Sequence, residues 1–105
     1  MKKGNKYGAK KVSTPDGSFD SKREYARWLD LNLMERASAI SDLKRQQSYT
    51  IIVNGQKICR YVADFTYFDD DDEFVVEDSK GYRTDVYKLK AKLMLAVHGI
   101  KIKET

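Results

Sequence analysis

A chain of 105 residues is the length of one domain and can bury one modest core. Its 41% hydrophobic and 34% charged content suits a globular fold, and no apolar run approaches the ~20 residues of a membrane span. A single cysteine, Cys59, excludes an intrachain disulfide and a cysteine metal cluster.

The opening Met1-Lys2-Lys3-Gly4 lacks the apolar region of a signal peptide, so a cytoplasmic protein is expected. The net charge is +4, but five acids crowd into Asp69 to Glu73; without them the chain would carry +9. Lys2, Lys3, Lys6, Lys10 and Lys11 gather at the N-terminus, and Lys88, Lys90, Lys92, Lys101 and Lys103 in the C-terminal quarter. Basic clusters interleaved with tyrosine suit a phosphate backbone. An ordinary solvated surface has the same composition, so charge alone leaves both readings open.

In chain order, residues 1–11 form a polar, basic arm that could order on a polyanion, and residues 12–105 a single domain. Thr14-Pro15-Asp16-Gly17 is a turn signal, closing a short hairpin between Lys10-Val12 and Ser18-Phe19. Ser21-Lys22-Arg23-Glu24 has the form of a capping box and predicts a helix from Asp20 or Ser21 to about Ala37-Ser38. Its expected apolar stripe is Tyr25, Trp28, Leu29 and Leu33. Ile40 to Gln46 reads as a short strand. Tyr49 to Val53 and Gln56 to Phe68 read as strands around Asn54-Gly55, a strong hairpin signal. Phe74 to Lys80 is the next strand. Paired apolar residues, Val62-Ala63 and Val75-Val76, place these two strands centrally, covered on both faces. A second helix is predicted from Thr84 to His98 with Val86, Leu89, Leu93, Ala96 and Val97 as its stripe, and Gly99 ends it. Ile100-Lys101-Ile102-Lys103 alternates like an edge strand. The order predicts an α/β fold around a mixed sheet.

Charge inside buried strands is costly unless paired or bound to metal. Asp64 lies in one such strand, and Asp78-Ser79-Lys80 ends the next. If the acidic run is the hairpin tip, with its turn centred near Asp71, Asp64 stands opposite Asp78. Alternation then puts Asp64, Asp78 and Lys80 on one face, and Glu77 and Ser79 on the other. Two carboxylates and a lysine on one face can hold Mg²⁺, activate water and offset developing charge on a phosphodiester. The competing structural account is a surface hairpin in which Lys80 pairs with an aspartate. Glu24 is either the capping-box glutamate or a third acid aimed at the sheet. Gln46 reads as an ordinary polar strand end or, alternatively, as a contact to substrate or water, and His98 as a helix-terminal residue favoured by the dipole. The run Asp69 to Asp72 lacks the spacing of an EF-hand loop and reads as a solvated tip.

These segments together resemble the PD-(D/E)xK nuclease superfamily, and nearly the whole chain resembles a small phage- and prophage-borne branch of it. The resemblance rests on Lys6-Tyr7-Gly8-Ala9-Lys10-Lys11, Phe19 to Glu24, Ile58 to Phe65, Val76 to Gly81 and Thr84 to Lys90. It departs from the motif at Ala63, where the naming proline would stand. It implies a restriction-endonuclease-like αβββαβ core with the mixed sheet flanked by helices, and Mg²⁺-dependent DNA cleavage, with Mn²⁺ expected to substitute. It assigns metal ligation to Asp64 and Asp78, with the Ser79 carbonyl and Glu24 as further ligands, and water orientation to Lys80.

The expected protein is therefore a DNA endonuclease, related to Holliday-junction resolvases and acting on branched or recombination DNA. Lys2, Lys3, Lys6, Lys10 and Lys11 would grip the backbone, with Lys88, Lys90 and Lys92 beside them. Symmetric cutting of two strands suits a homodimer. Two rivals remain at this level: a non-catalytic DNA-binding protein with the same fold, and a phage assembly factor that uses the acidic tip to hold a protein partner.

Overall fold

A computed structural model of the chain describes residues 11–80 and 82–105. A two-stranded hairpin, β1 (Val12–Thr14) and β2 (Gly17–Phe19), precedes helix α1 (Lys22–Arg36). Strands β3 (Ser41–Val53), β4 (Gln56–Phe68) and β5 (Phe74–Asp78), helix α2 (Asp85–His98) and strand β6 (Lys103–Glu104) follow. The four long-range strands form one sheet in the order β3-β4-β5-β6, with β4 and β5 central as the paired apolar residues predict. β5 and β6 are parallel and the other neighbours antiparallel, so the sheet is mixed. Among the described residues no helix is long and apolar enough to cross a membrane.

Local chemistry explains the element ends. Ser21 caps α1, its hydroxyl accepting from the Glu24 N–H at 3.1 Å. Thr84 caps α2 in the same way through the Tyr87 N–H at 3.0 Å. Gly99 closes α2 in the left-handed region at φ 69°, where a side chain is strained. No atom lies within 4 Å of a Cβ placed there, so the strain is purely conformational. Gly99→Ala is expected to lower stability by about 1 kcal/mol in urea melts.

The helices lie on opposite faces of the sheet. Val75 joins Leu31, Ile40, Phe65 and Tyr67 in the core against α1. Its neighbour Val76 joins Ile51, Tyr61, Ala63, Tyr87 and Met94 in the core against α2. Strand β4 serves both cores with odd-numbered residues: Tyr61 and Ala63 in one, Phe65 and Tyr67 in the other. Simple alternation therefore breaks at Asp64. The facing position on β3 is Gln46, whose φ of 54° interrupts the extended backbone. The register is the same on either side, through Arg45–Phe65 and Gln47–Ala63, so the two strands change over together.

Several sequence expectations need correction. β3 is one strand through Gln46 rather than two, because the left-handed residue kinks the ladder without shifting its register. The buried side of α1 carries Glu24, Trp28 and Leu31; Leu29 and Leu33 are 42% and 61% exposed. The buried side of α2 carries Tyr87, Ala91 and Met94, with Leu93 partly buried, while Val86, Leu89 and Val97 are exposed. Both helices turn residues with polar atoms toward the sheet, which an apolar stripe does not register. β6 begins at Lys103, and Ile100 and Ile102 pack before it against the α2 core.

Candidate functional site

The β4–β5 ladder runs from Phe68–Phe74 to Phe65–Glu77. Its next step places Asp64 opposite Asp78, the register expected from a turn centred near Asp71. The neighbouring ladder places Gln46 opposite Asp64 from the other side. The strands thus set Gln46, Asp64 and Asp78 in one row at the changeover point.

The two aspartates meet within hydrogen-bonding reach. Each is tied at one oxygen. Asp64 Oδ2 accepts the Ser79 N–H at 2.8 Å, and Asp78 Oδ2 accepts the Tyr61 hydroxyl. Asp78 Oδ1 is buried without a hydrogen-bond partner. Lys80 Nζ stands 3.4 Å from it, as an ion pair rather than an aligned hydrogen bond. The Lys80 ammonium also lies over the Tyr87 ring, 4.7 Å from its centre. Burial and the adjacent Asp78 carboxylate, with a smaller push from Glu24, raise the Asp64 carboxyl to about 9. Burial and the same Asp78 carboxylate raise the Tyr61 hydroxyl, which therefore stays protonated and donates.

Glu24 is 2% exposed and does two things at once. Its Oε1 accepts the Asp20 N–H at 3.0 Å, securing the entry to α1. Its Oε2 accepts Gln46 Nε2 at 3.1 Å and lies 3.7 Å from an Arg45 nitrogen. Burial raises its carboxyl, and Asp20 and Asp78 add to the rise. Both readings of Glu24 are thus present: it secures the helix and it faces the carboxylate row. Gln46, expected as a plain strand end, is instead the link between Glu24 and the strand facing Asp64. Its polar run, Arg45-Gln46-Gln47 in mid-strand, was the available signal. Arg45 itself lies over the Phe19 ring at 3.7 Å and donates to the Ser18 carbonyl, joining the first hairpin to this wall.

Glu77 takes the other face, as alternation predicts. It is fully buried and meets Arg27 through two parallel contacts, Nε to Oε2 and Nη2 to Oε1, the latter at 3.1 Å. Tyr67 donates to it at 2.6 Å and Thr105 at 3.0 Å. Ser79 contributes its N–H to Asp64, and its hydroxyl is buried without a partner. His98 is exposed and meets the Thr50 carbonyl at 2.9 Å, so it ties the end of α2 to β3.

The donor set of Asp64 and Asp78 fits a hard divalent cation: two abutting carboxylates, one with a buried oxygen lacking a hydrogen-bond partner. Glu24 stands farther back. Among the described residues, the only three acidic groups whose oxygens all come within 4.8 Å are Asp69, Asp70 and Asp71. Those sit at the hairpin tip, where Asp69 Oδ1 already accepts the N–H groups of Asp71 and Glu73 at 2.9 and 3.0 Å. Self-capping of this kind makes the run a turn.

Of the lysines expected to touch DNA, Lys2, Lys3, Lys6 and Lys10 lie outside the described residues. Lys11 is exposed and pairs with Asp20 at 3.2 Å. Lys88 and Lys92 are exposed one turn apart on α2, and Lys90 is partly buried. Sequence reasoning passed over Tyr61 and Tyr87, since aromatic residues in a strand and a helix read as core.

No curated protein and no solved structure matches the chain. A family model described as "Protein of unknown function (DUF1064)" matches residues 4–103, and the chain belongs to that family.

Proposed function

We propose that this protein is an Mg²⁺-dependent DNA endonuclease with a restriction-endonuclease-like core. Its substrate would be branched or recombination DNA in a bacterial cytoplasm, and its origin a phage or prophage. The observation that carries the proposal is the convergence of Asp64, Asp78 and Lys80 beside the point where β3 and β4 change over. The order α1-β3-β4-β5-α2-β6 is the order the nuclease resemblance implies.

Asp64 and Asp78 would hold the cation, with the Ser79 carbonyl completing the protein's share. Glu24, with both oxygens engaged, acts from behind through Gln46. The bound cation supplies Lewis-acid polarisation of the phosphate and a more acidic water. Lys80, held between Asp78 and the face of Tyr87, places a positive charge where negative charge develops. Lys11, the lysines before it, and Lys88, Lys90 and Lys92 are proposed to meet the phosphate backbone. A homodimer would present two such sites to opposite strands.

The test is cleavage of a four-way junction and a plain duplex with Mg²⁺ or Mn²⁺. Asp78→Asn should reduce cleavage by at least ~100-fold, above the range for losing a metal's outer partners. Lys80→Ala should reduce it by about 10²-fold or more. Unchanged cleavage in both variants would remove the site. Salt-sensitive DNA binding by the parent protein without metal-dependent cutting would remove the enzyme and leave a binding protein.

A further inference from the structure

We propose that Tyr61 is a positioning residue for the cation, holding Asp78 by Oδ2 so that Oδ1 is the oxygen left to the metal. This rests on the metal reading of the Asp64–Asp78 pair given above. The observation is an asymmetry shared by the two carboxylates. Asp64 is held at Oδ2 by the Ser79 N–H, and Asp78 at Oδ2 by Tyr61. The Oδ1 atom of Asp78 is buried without an aligned hydrogen bond, its contact being the Lys80 ammonium at 3.4 Å. A buried carboxylate oxygen whose charged neighbour is not aligned as a donor is poorly satisfied for a purely structural ion pair. The same arrangement is what a ligand aimed at a cation requires, because a metal ligand's other polar atom is usually fixed by an outer partner.

Tyr61 is suited to this role by its own immobility. It is 3% exposed, and its ring packs among Ile51, Val76, Tyr87 and Met94. Tyr49 stacks on it with centroids 6.5 Å apart. Rigid packing fixes the hydroxyl, and the bond it makes to an ionised carboxylate is charge-assisted and directional. Tyr61 and Asp64 are three residues apart, so regular alternation would put them on opposite faces. The changeover at Gln46 and Asp64 is what lets both reach Asp78.

Tyr67 provides a matched control. It is also a buried β4 tyrosine donating to a buried carboxylate, but its partner is Glu77 on the opposite face. Mn²⁺ binding to the DNA-free protein is measured by calorimetry for the parent, Tyr61→Phe, Tyr67→Phe and Asp78→Asn. Each phenylalanine keeps the ring that fills the core, and circular dichroism establishes that each variant is folded. Tyr61→Phe should weaken Mn²⁺ binding by roughly tenfold, within the range for loss of a metal's outer partner. Its cleavage should approach the parent's when Mn²⁺ is raised to saturation. Tyr67→Phe should bind Mn²⁺ as the parent does. Parent-like Mn²⁺ affinity in Tyr61→Phe, with binding lost in Asp78→Asn, would overturn the positioning role and leave the metal site standing. Equal weakening in both tyrosine variants would show a general effect of core polarity and also overturn it. Parent-like affinity in Asp78→Asn would overturn the metal reading, and the role of Tyr61 with it.

Discussion

Asp64→Asn should raise the thermal midpoint of the metal-free protein while reducing the proposed Mg²⁺-dependent cleavage by at least ~100-fold. The two effects have one cause. Burial and the adjacent Asp78 carboxylate push the Asp64 carboxyl to about 9 in the folded protein, from an ordinary value of 3.8. The folded state therefore keeps a proton that the unfolded chain gives up. Where the folded state binds more protons, stability falls as pH rises. The loss begins near the unfolded value and continues until pH passes the folded one, so the window runs from about 4 to about 9. Asparagine does not titrate, and its amide can donate to Asp78 at every pH, whereas the Asp64 carboxyl can donate only while it keeps its proton. The midpoint advantage of Asp64→Asn over the parent should thus grow between pH 5 and pH 8.5. Each ~1 kcal/mol corresponds to roughly 4–8 °C in a domain of this size. A cation must displace the same proton, so Mg²⁺ should stabilise the parent increasingly with pH and leave the variant unmoved. A variant midpoint at or below the parent's at pH 8.5 would contradict the upward push that burial and Asp78 give the Asp64 carboxyl.

Glu77→Gln should cost about 3 kcal/mol of stability in urea denaturation, by stranding the Arg27 guanidinium without its anion. This is the low end for breaking a buried pair, because Arg27 keeps 22% of its side chain exposed. Burial alone would raise the Glu77 carboxyl. The bonds from Arg27, Tyr67 and Thr105 outweigh it and hold the group below its usual 4.5. A depressed folded value means the stabilisation is complete above the unfolded value and is lost as pH falls through the folded one. The parent should therefore lose this contribution below about pH 4.5, and the variant should lack that part of the acid response. Glu77 adjoins Asp78 in sequence but serves the opposite face. At a temperature where it is folded, Glu77→Gln should keep the proposed metal-dependent cleavage. Loss of cleavage in the folded variant would mean that the division of faces between Glu77 and Asp78 is wrong.

The hairpin was legible because three signals agreed: an acidic turn, two apolar strands and a register set by the turn's centre. That register led to the meeting of Asp64 with Asp78. Strand β4 was readable to its limits from the Asn54-Gly55 turn and the acidic tip. The helix limits were readable from Ser21, Thr84 and Gly99, whose capping roles depend on neighbours within a few residues. The helix faces were not. Leu29, Leu33, Val86 and Leu89 outvote Glu24 and Tyr87 in an apolar count, yet they are the exposed ones. A helical pattern records hydrophobicity, and here Glu24 and Tyr87 turn inward to bond Gln46 and Glu104 of the sheet.

What the sequence determined by itself is local or periodic: the caps, the turns, the central place of β4 and β5 and the pairing of Asp64 with Asp78. The tertiary structure alone decided which oxygens are tied and which are left. Tyr61 reaches Asp78 across 17 residues, and Gln46 reaches Glu24 across 22. These contacts exist because β3 and β4 change over together at a left-handed glutamine. A two-residue period has no term for such a break, since it arises from two strands bending as one between two separate cores.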